Sequence, residues 1–225
     1  MKIFIVGSGK LANAILSSNV SFSTFEFVKW GTSDHTSNEK LILVHAGSGR
    51  QLNECIAFCT RTKSILIELS TGLKTEKMSP VFPLVICPNT SILLLKTLRM
   101  IQLFGSNFEN YDISITESHQ STKITEPGTA YNFADSLKVR QDKIVSIRDP
   151  QIQRNKIKIP REFLERHAYH SIVIKDTMDE VTIETKVLGH ASYVNGVHII
   201  VQTCINNRLE NKRYTVLDFI EIGMI

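Results

Sequence analysis

Over the first hundred positions the hydrophobic residues arrive in short, unbroken runs. Residues 2–6 (KIFIV), 41–45 (LILVH), 64–69 (SILIEL) and 84–87 (LVIC) are four such runs. Apolar runs of this length, without alternation, predict strands buried on both faces. Residues 24–30 (TFEFVKW) add a further strand, second in chain order. Between the strands the apolar positions change to helical spacing. Residues 10–16 open a helix. Residues 51–60 carry Leu52, Cys55, Ile56 and Cys59 on one stripe, and residues 91–104 (SILLLKTLRMIQLF) form a long apolar helix. The polar stretch 31–40 predicts a mobile loop. Strands alternating with helices imply a mostly parallel sheet, with ligands gathered at the strand C-termini.

After Gly105 the pattern changes. Residues 111–116 alternate apolar and polar, and 144–147, 171–175 and 181–188 read as further strands. Residues 160–167 (PREFLERH) predict a short helix with proline in its first turn, and another helix starts at Ala130. This half reads as an open mixed sheet with helices on one face. Residues 190–204 then run into an apolar helix, and residues 214–220 close the chain's pattern.

The first strand ends in Gly7-Ser8-Gly9, followed by Lys10, Leu11 and Ala12. Strand, Gly-x-Gly-x-x-Ala, helix is the layout of a dinucleotide-binding turn. Gly7 permits the tight turn, Gly9 lets the backbone approach a pyrophosphate, and Ala12 allows close packing of helix on strand. Lys10 adds charge near the phosphates. The alternative is a plain strand–helix turn. An acid commonly ends the second strand of such a fold to hold the ribose hydroxyls. Here Lys29, Trp30, Gly31, Thr32 and Ser33 stand there, with no acid before Asp34. That favours NADPH over NADH, with Lys29, Thr32 and Ser33 facing a 2′-phosphate. Trp30 either stacks on adenine or is an exposed or packed tryptophan without a ligand role. Three more turns end predicted strands: Ala46-Gly47-Ser48-Gly49, Ser70-Thr71-Gly72 and Pro88-Asn89-Thr90-Ser91. His45, at a strand end, reads as a core-edge histidine rather than a site-lining one. The fold class is therefore α/β. A Rossmann-type parallel-sheet cofactor domain takes residues 1–104 and 191–225, and an α+β mixed-sheet domain for substrate and oligomerisation takes 105–190.

The richest chemistry lies in residues 117–130, ESHQSTKITEPGTA, hung between a strand and a helix. His119 is the residue type able to work as acid or base near neutral pH. Lys123 supplies a positive charge or a proton. Gly128 and Thr129 offer N–H groups and a hydroxyl at a helix start, where anions are favoured. Together they suit a small acidic substrate that must be protonated. The bland alternative is a polar surface loop.

Composition narrows the classes. The 225 residues are 42% hydrophobic and 21% charged, which predicts a packed core rather than disorder. A net charge of +4, with its Lys and Arg dispersed, admits small acids but does not point to nucleic acid. No apolar run reaches the roughly 20 residues needed to span a bilayer, and no signal peptide is visible at the N-terminus. A cytoplasmic protein is expected. The four cysteines, Cys55, Cys59, Cys87 and Cys204, read as buried free thiols. No second pair has the spacing of a metal site.

The pattern Glu117-x-His119-x-x-x-Lys123, with Gly128-Thr129-Ala130 before a helix, resembles the signature loop of the dihydrodipicolinate reductases. The loop departs from the family in three ways. Gln120 replaces a second histidine, Thr125 replaces an aspartate, and the loop is one residue short, with Pro127 directly before Gly128. The Ser70 turn is similar to the family's Thr-Thr-Gly, and the Pro88 turn to its Ala-Asn-x-Ser. The stretch around Gly196 is similar to its returning helix, without that helix's arginine; His190 or Ser192 falls nearby. The resemblance implies hydride transfer from NADPH or NADH to a cyclic, unsaturated dicarboxylic imine of lysine and diaminopimelate biosynthesis, in a homodimer or homotetramer. It implies His119 and Lys123 as catalytic groups. Gln120, Lys123, Gly128 and Thr129 would meet substrate. Gly7, Ser8, Gly9, Lys10, Leu11, Trp30, Gly31, Ala46, Gly47, Ser70, Thr71, Pro88, Asn89 and Thr90 would meet the cofactor. The alternatives are a reductase of the same family acting on another imine or enamine, and a non-catalytic binding module on the family fold.

Overall fold

The computed structural model describes residues 1–18, 24–124 and 126–225. Thr125, inside the signature stretch, lies outside the described residues. The chain divides into two compact units, residues 1–91 with 193–225, and residues 92–192.

The first unit is built on a six-stranded parallel sheet. In chain order its strands are β1 (Lys2–Val6), β2 (Glu26–Lys29), β3 (Ile42–His45), β4 (Ile65–Glu68), β5 (Leu84–Ile86) and β10 (Arg213–Thr215). Their spatial order is β10-β5-β4-β3-β1-β2, every neighbour parallel. β1, β3, β4 and β5 match the four apolar runs. They are unalternating because both faces are covered: Phe4, Val6, Leu43, Leu66, Leu84 and Ile86 pack with Trp30 and with Leu52, Cys55, Phe58 and Cys59 of helix α2 (Leu52–Thr62). The intervening Ile3, Ile5, Val44, Ile67 and Val85 are buried as well. Helix α1 (Lys10–Leu16) buries Ala12 and Ile15. Helix α6 (Ala191–Asn206) runs from the second unit's last residues into the first, where it buries Val197, Ile200 and Val201. Helix α7 (Val216–Glu221), capped by Thr215 and Asp218, follows β10. The sequence direction reverses between β2-β1 and β3-β4-β5, so the topological switch point lies between β1 and β3.

Two expectations change in this unit. Residues 31–40 are not loop throughout. Thr32–Thr36 forms a 3-10 helix whose Gly31 N–H donates to Asp34 Oδ2 at 2.8 Å, and Arg61 donates to the carbonyls of His35 and Ser37. The Trp30 ring is not a surface for adenine. It is 4% exposed, stacked on His35 with centroids 3.9 Å apart and edge-on to Phe58.

The second unit carries a mixed sheet ordered β7-β6-β8-β9. Its strands are β6 (Asp112–His119), β7 (Val145–Ile147), β8 (His167–Lys175) and β9 (Glu180–Leu188). β6 and β7 are parallel and the other pairs antiparallel. Helix α3 (Ile92–Phe104) packs against α4 (Gly128–Ser136) and belongs to this unit, whereas the sequence pattern alone had grouped it with the parallel sheet. On one face Ile115, Ile172 and Val187 are buried with Phe133 and Ala134 of α4, while Ser114, Thr182, Glu184 and Lys186 are exposed on the other. Residues 160–167 hold only a 3-10 turn, Arg161–Phe163, and His167 already belongs to β8. Helix α5 (Pro150–Asn155) is an addition. Asp149 caps it by accepting from Gln151 N–H at 2.7 Å, and Pro150 occupies the first turn.

Candidate active site

In the second unit the signature stretch begins as strand rather than loop. β6 continues through Glu117 and His119, so their side chains are fixed by sheet register. Glu117 lies between Ser146 of β7 and His170 of β8, and His170 faces Thr185 of β9. Alternation puts Glu117 and His119 on the helix-covered face. A carboxylate there must be paired. Glu117, fully buried, accepts from His119 Nδ1 at 2.7 Å on Oε2 and from Arg148 Nη2 at 2.7 Å on Oε1. Burial alone would raise its pKa. The bonds from His119, Arg148 and Ser146 outweigh that and hold it at about 2. Glu117 is therefore an anion that orients the imidazole, with Nδ1–H donating to it. The His119 side chain is 12% exposed, enough to meet a ligand.

His119 is fastened from behind as well. Gln153 of α5, 1% exposed, donates to the His119 carbonyl at 2.7 Å and to Ser118 Oγ at 3.1 Å. Ser118 Oγ meets His167 Nε2 at 3.0 Å. The His170 ring stands edge-on to His119, with centroids 5.9 Å apart. Burial and then the His119 charge push the His170 pKa down to about 3, so its ring is neutral. Its Nδ1 meets Thr185 Oγ1 at 3.1 Å. Lys123, half buried, has its pKa lowered. Desolvation is the main cause, Glu117 opposes it and Arg148 adds to it. A lysine so placed gives up its proton more readily than a surface one.

The stretch thus brings Glu117, His119 and Lys123 into one electrostatic neighbourhood. Gln120 is half buried, and its carbonyl accepts from Lys123 N–H at 3.0 Å, closing a turn. Gly128 and Thr129 do open a helix, α4. The Gly128 N–H, however, donates to the Glu126 carbonyl at 3.0 Å, so it does not point to a ligand as expected. Arg148, His170, Gln153 and His167 were not singled out from the sequence. An Asp-Pro helix start after a short strand was the one signal that could have drawn attention to residues 148–153.

In the first unit all four predicted turns lie at the C-terminal edge of the sheet. Gly7 ends β1 at the switch point with φ +131°, and a Cβ there would stand 2.5 Å from the Ala46 carbonyl after β3. Glycine is what lets these two turns meet. Gly9 caps α1, and a Cβ on it would meet nothing within 4 Å, which leaves space for a ligand against the backbone. Ser8 and Lys10 are exposed and Leu11 half buried. Gly47 is buried tightly against His45 and the Arg50 carbonyl. Ser70 Oγ accepts from Ser48 N–H at 3.1 Å, tying the second turn to the third, and Thr71 is exposed. Pro88 is exposed, and Asn89 Oδ1 caps Ser91 N–H. The Thr90 hydroxyl is spent on the Tyr193 carbonyl at 2.8 Å, where Gly196 of α6 crosses so closely that a Cβ would overlap the Thr90 carbonyl. Lys29, Thr32 and Ser33 are exposed near the end of β2, and the Asp34 carboxylate is turned back onto Gly31. Open glycine backbone, exposed hydroxyls and a lysine fit a dinucleotide. His45 is a fully buried core-edge histidine.

The profile of the dihydrodipicolinate reductase C-terminus matches residues 93–220. A probable 4-hydroxy-tetrahydrodipicolinate reductase 2, chloroplastic, of Oryza sativa subsp. japonica is 33% identical over 104 residues, 43% of this chain and 32% of that protein. The chloroplastic 4-hydroxy-tetrahydrodipicolinate reductase 1 of Arabidopsis thaliana is 25% identical over 134 residues, 55% of this chain and 39% of that protein. The chain therefore spans less than two-fifths of the length of the curated relatives it matches. A dipicolinate-bound dihydrodipicolinate reductase from Paenisporosarcina sp. TG-14 shares the fold, with a TM-score of 0.64 over 95% of this chain and 97% of that one, at 15% identity. Among the described residues no helix is long and apolar enough to cross a membrane. With the profile covering more than half of its residues, this chain belongs to the dihydrodipicolinate reductase family.

Proposed function

We propose that the protein is a nicotinamide-nucleotide-dependent reductase of a small cyclic imine that bears carboxylates, the 4-hydroxy-tetrahydrodipicolinate reductase reaction. The observation that carries this reading is the buried Glu117 carboxylate, shared between His119 and Arg148, with Lys123 in the same field. Reducing an imine to an amine consumes one hydride, added at carbon, and one proton, added at nitrogen. The reduced nicotinamide, when bound, supplies the hydride. The chain supplies the proton and the charge. His119, held by Glu117 through Nδ1, keeps Nε2 as the nitrogen for substrate. Lys123, its proton loosened by burial, donates to the atom that gains the electron pair or neutralises charge there. Thr129 and Arg148 are the donors suited to a carboxylate. The nucleotide would rest on Gly7, Gly9 and Lys10, with Ala46, Gly47, Ser70, Thr71, Pro88 and Asn89 along the same sheet edge. The exposed Lys29, Thr32 and Ser33 favour NADPH. As in the family, a homo-oligomer is expected.

A second reading keeps the chemistry and changes the imine. Gln120 stands where the family has a histidine, and it donates a hydrogen bond without charge, which suits a substrate with one carboxylate fewer. NADPH and NADH oxidation with enzymatically generated 4-hydroxy-tetrahydrodipicolinate tests both. Turnover above the no-enzyme rate by orders of magnitude supports the first. Nucleotide binding with no turnover on this substrate, and turnover on a monocarboxylic cyclic imine, supports the second. No nucleotide binding at all would sink both.

A further inference from the structure

His45 and Glu68 are the C-terminal residues of β3 and β4 and pair directly across the sheet. Both are fully buried. His45 Nδ1 is 2.8 Å from Glu68 Oε1, and Nε2 is 2.9 Å from the Arg50 carbonyl. Glu68 Oε1 also accepts the Ser70 N–H at 2.7 Å. A carboxylate oxygen has lone pairs for two N–H donors, and a peptide carbonyl can only accept. Both ring nitrogens must therefore donate, and His45 is an imidazolium facing a carboxylate inside the core. The same ring explains Gly47: a Cβ there would stand 2.8 Å from His45 Nε2. A buried ion pair is a costly way to hold two strands together, since an apolar pair of similar volume serves stability as well or better. What this pair does beyond that is fix two turns. His45 holds residues 46–50 through Arg50, Glu68 holds residues 70–72 through Ser70, and Ser48 N–H closes the frame on Ser70 Oγ.

We infer that the His45–Glu68 ion pair is a positioning device for the nicotinamide nucleotide, setting the turns after β3 and β4 so that nucleotide binding requires His45 to be protonated. The inference rests on the proposed assignment of those turns to the cofactor. The groups facing His45 are Glu68 on β4 and Arg50 on its own loop; Cys55 on α2 faces Glu68, and its thiol is pushed up to about 12 by burial and then by the Glu68 charge, so it stays neutral. Burial works to lower the His45 pKa, but the Glu68 bond and charge and the Arg50 carbonyl outweigh it and raise it. The frame is thus complete at and below the unperturbed value of 6.5 and comes apart as pH rises through the raised one. Loss of a proton leaves one ring nitrogen lone pair against an oxygen lone pair, and one turn is released.

The test is calorimetric titration of NADP⁺ and of NAD⁺ from pH 5.5 to 8.5 into the full chain and into Glu68→Gln. The glutamine keeps the shape and the acceptor for Ser70 and His45 but removes the charge that holds the imidazolium. The wild-type protein should bind with a flat profile to pH 6.5 and weaken as pH rises through the raised His45 value. Glu68→Gln should bind about tenfold more weakly at pH 7 and recover toward wild type as pH falls, because the imidazolium is then regained. Comparing the two proteins at each pH cancels the nucleotide's own titration. Equal affinity of the two proteins across the range would overturn the inference and leave the cofactor assignment standing, as would an equal, pH-independent weakening, which is the mark of a merely structural role. No binding by the wild-type protein would overturn both. If Glu68→Gln does not fold, the ¹⁵N shifts of the wild-type His45 ring decide: two protonated nitrogens at pH 7 sustain the imidazolium, and one overturns it.

Discussion

Replacing Glu117 by glutamine tests the heart of the candidate site. The carboxylate serves three donors, His119, Arg148 and Ser146. Glutamine offers one acceptor oxygen and one amide NH₂, so at least one of these donors meets another donor in a buried setting. The magnitude follows from the carboxyl itself. A group moved from 4.5 down to about 2 interacts about 3 kcal/mol better as an anion than as a neutral acid, and glutamine resembles the neutral acid. Glu117→Gln should therefore lose about 3 kcal/mol of stability at pH 7, a fall of roughly 12–20 °C in the melting temperature of the unit that holds it. The folded value is depressed, so this stabilisation is complete above 4.5 and disappears as pH falls toward 2. The variant should lack that part of the acid slope. Scanning calorimetry gives the melting shift, and urea unfolding followed by far-ultraviolet circular dichroism between pH 6 and 2.5 gives the slope. Fluorescence of Trp30, the only tryptophan and a residue of the other unit, is the internal control and should change little. A variant melting within about 2 °C of wild type, with the same slope below pH 4.5, would refute the pairing described for Glu117.

Three further outcomes are expected. Lys123→Met should lower kcat by about 10²- to 10³-fold while leaving the nucleotide dissociation constant unchanged; full turnover would remove Lys123 from the chemistry. Gly196→Ala should cost about 3 kcal/mol or more in urea unfolding, because the new methyl must displace α6 from the Thr90 carbonyl. His170 is buried neutral with its pKa near 3 rather than 6.5. The unfolded chain therefore binds the extra proton first, and stability falls as pH drops from 6.5 to 3 by about 4–5 kcal/mol. His170→Leu should flatten that fall, which urea unfolding at stepped pH will read.

The parallel-sheet unit was legible almost element by element. Its strands are covered on both faces, so KIFIV, LILVH and SILIEL carry no polar alternation to confuse with a helix, and glycine or serine turns mark their ends. Where the reading failed, tertiary contacts outweighed local composition. Residues 31–40 are polar enough for a loop. They are ordered by Asp34 folding back on Gly31 and by Arg61 reaching over from α2, and neither contact leaves a trace in a window of ten residues. Trp30 is aromatic at a strand end in either role; only Phe58 and His35, distant or ambiguous in sequence, decide that it packs inside. PREFLERH has helical spacing, yet pairing with Leu188 of β9 draws His167 into a strand.

The site divides along the same physical line. Glu117, His119 and Lys123 are within seven positions of one another, and their spacing announced them. Their supports come from other elements: Arg148 after β7, Gln153 on α5, His170 across the ladder on β8. A buried glutamate cannot stand without a cation and donors, so the motif required a partner that the motif did not contain. The mixed sheet supplies it by running β7 parallel to β6, which brings the residue after β7 level with the end of the signature strand. Arg148 is thus readable only once the strand order is known. It also bears on Gln120. The cluster keeps one strong cation at the carboxylate despite the histidine lost from the loop, and since Arg148 spends one arm on Glu117 and one on the Ile147 carbonyl, its hold on a substrate is shared with its hold on the strand. An Arg148→Lys variant would keep the charge but not the forked geometry. It should therefore weaken substrate recognition and His119 orientation together, raising KM and lowering kcat. A change in KM alone would mean that Arg148 meets the substrate without steering His119 through Glu117.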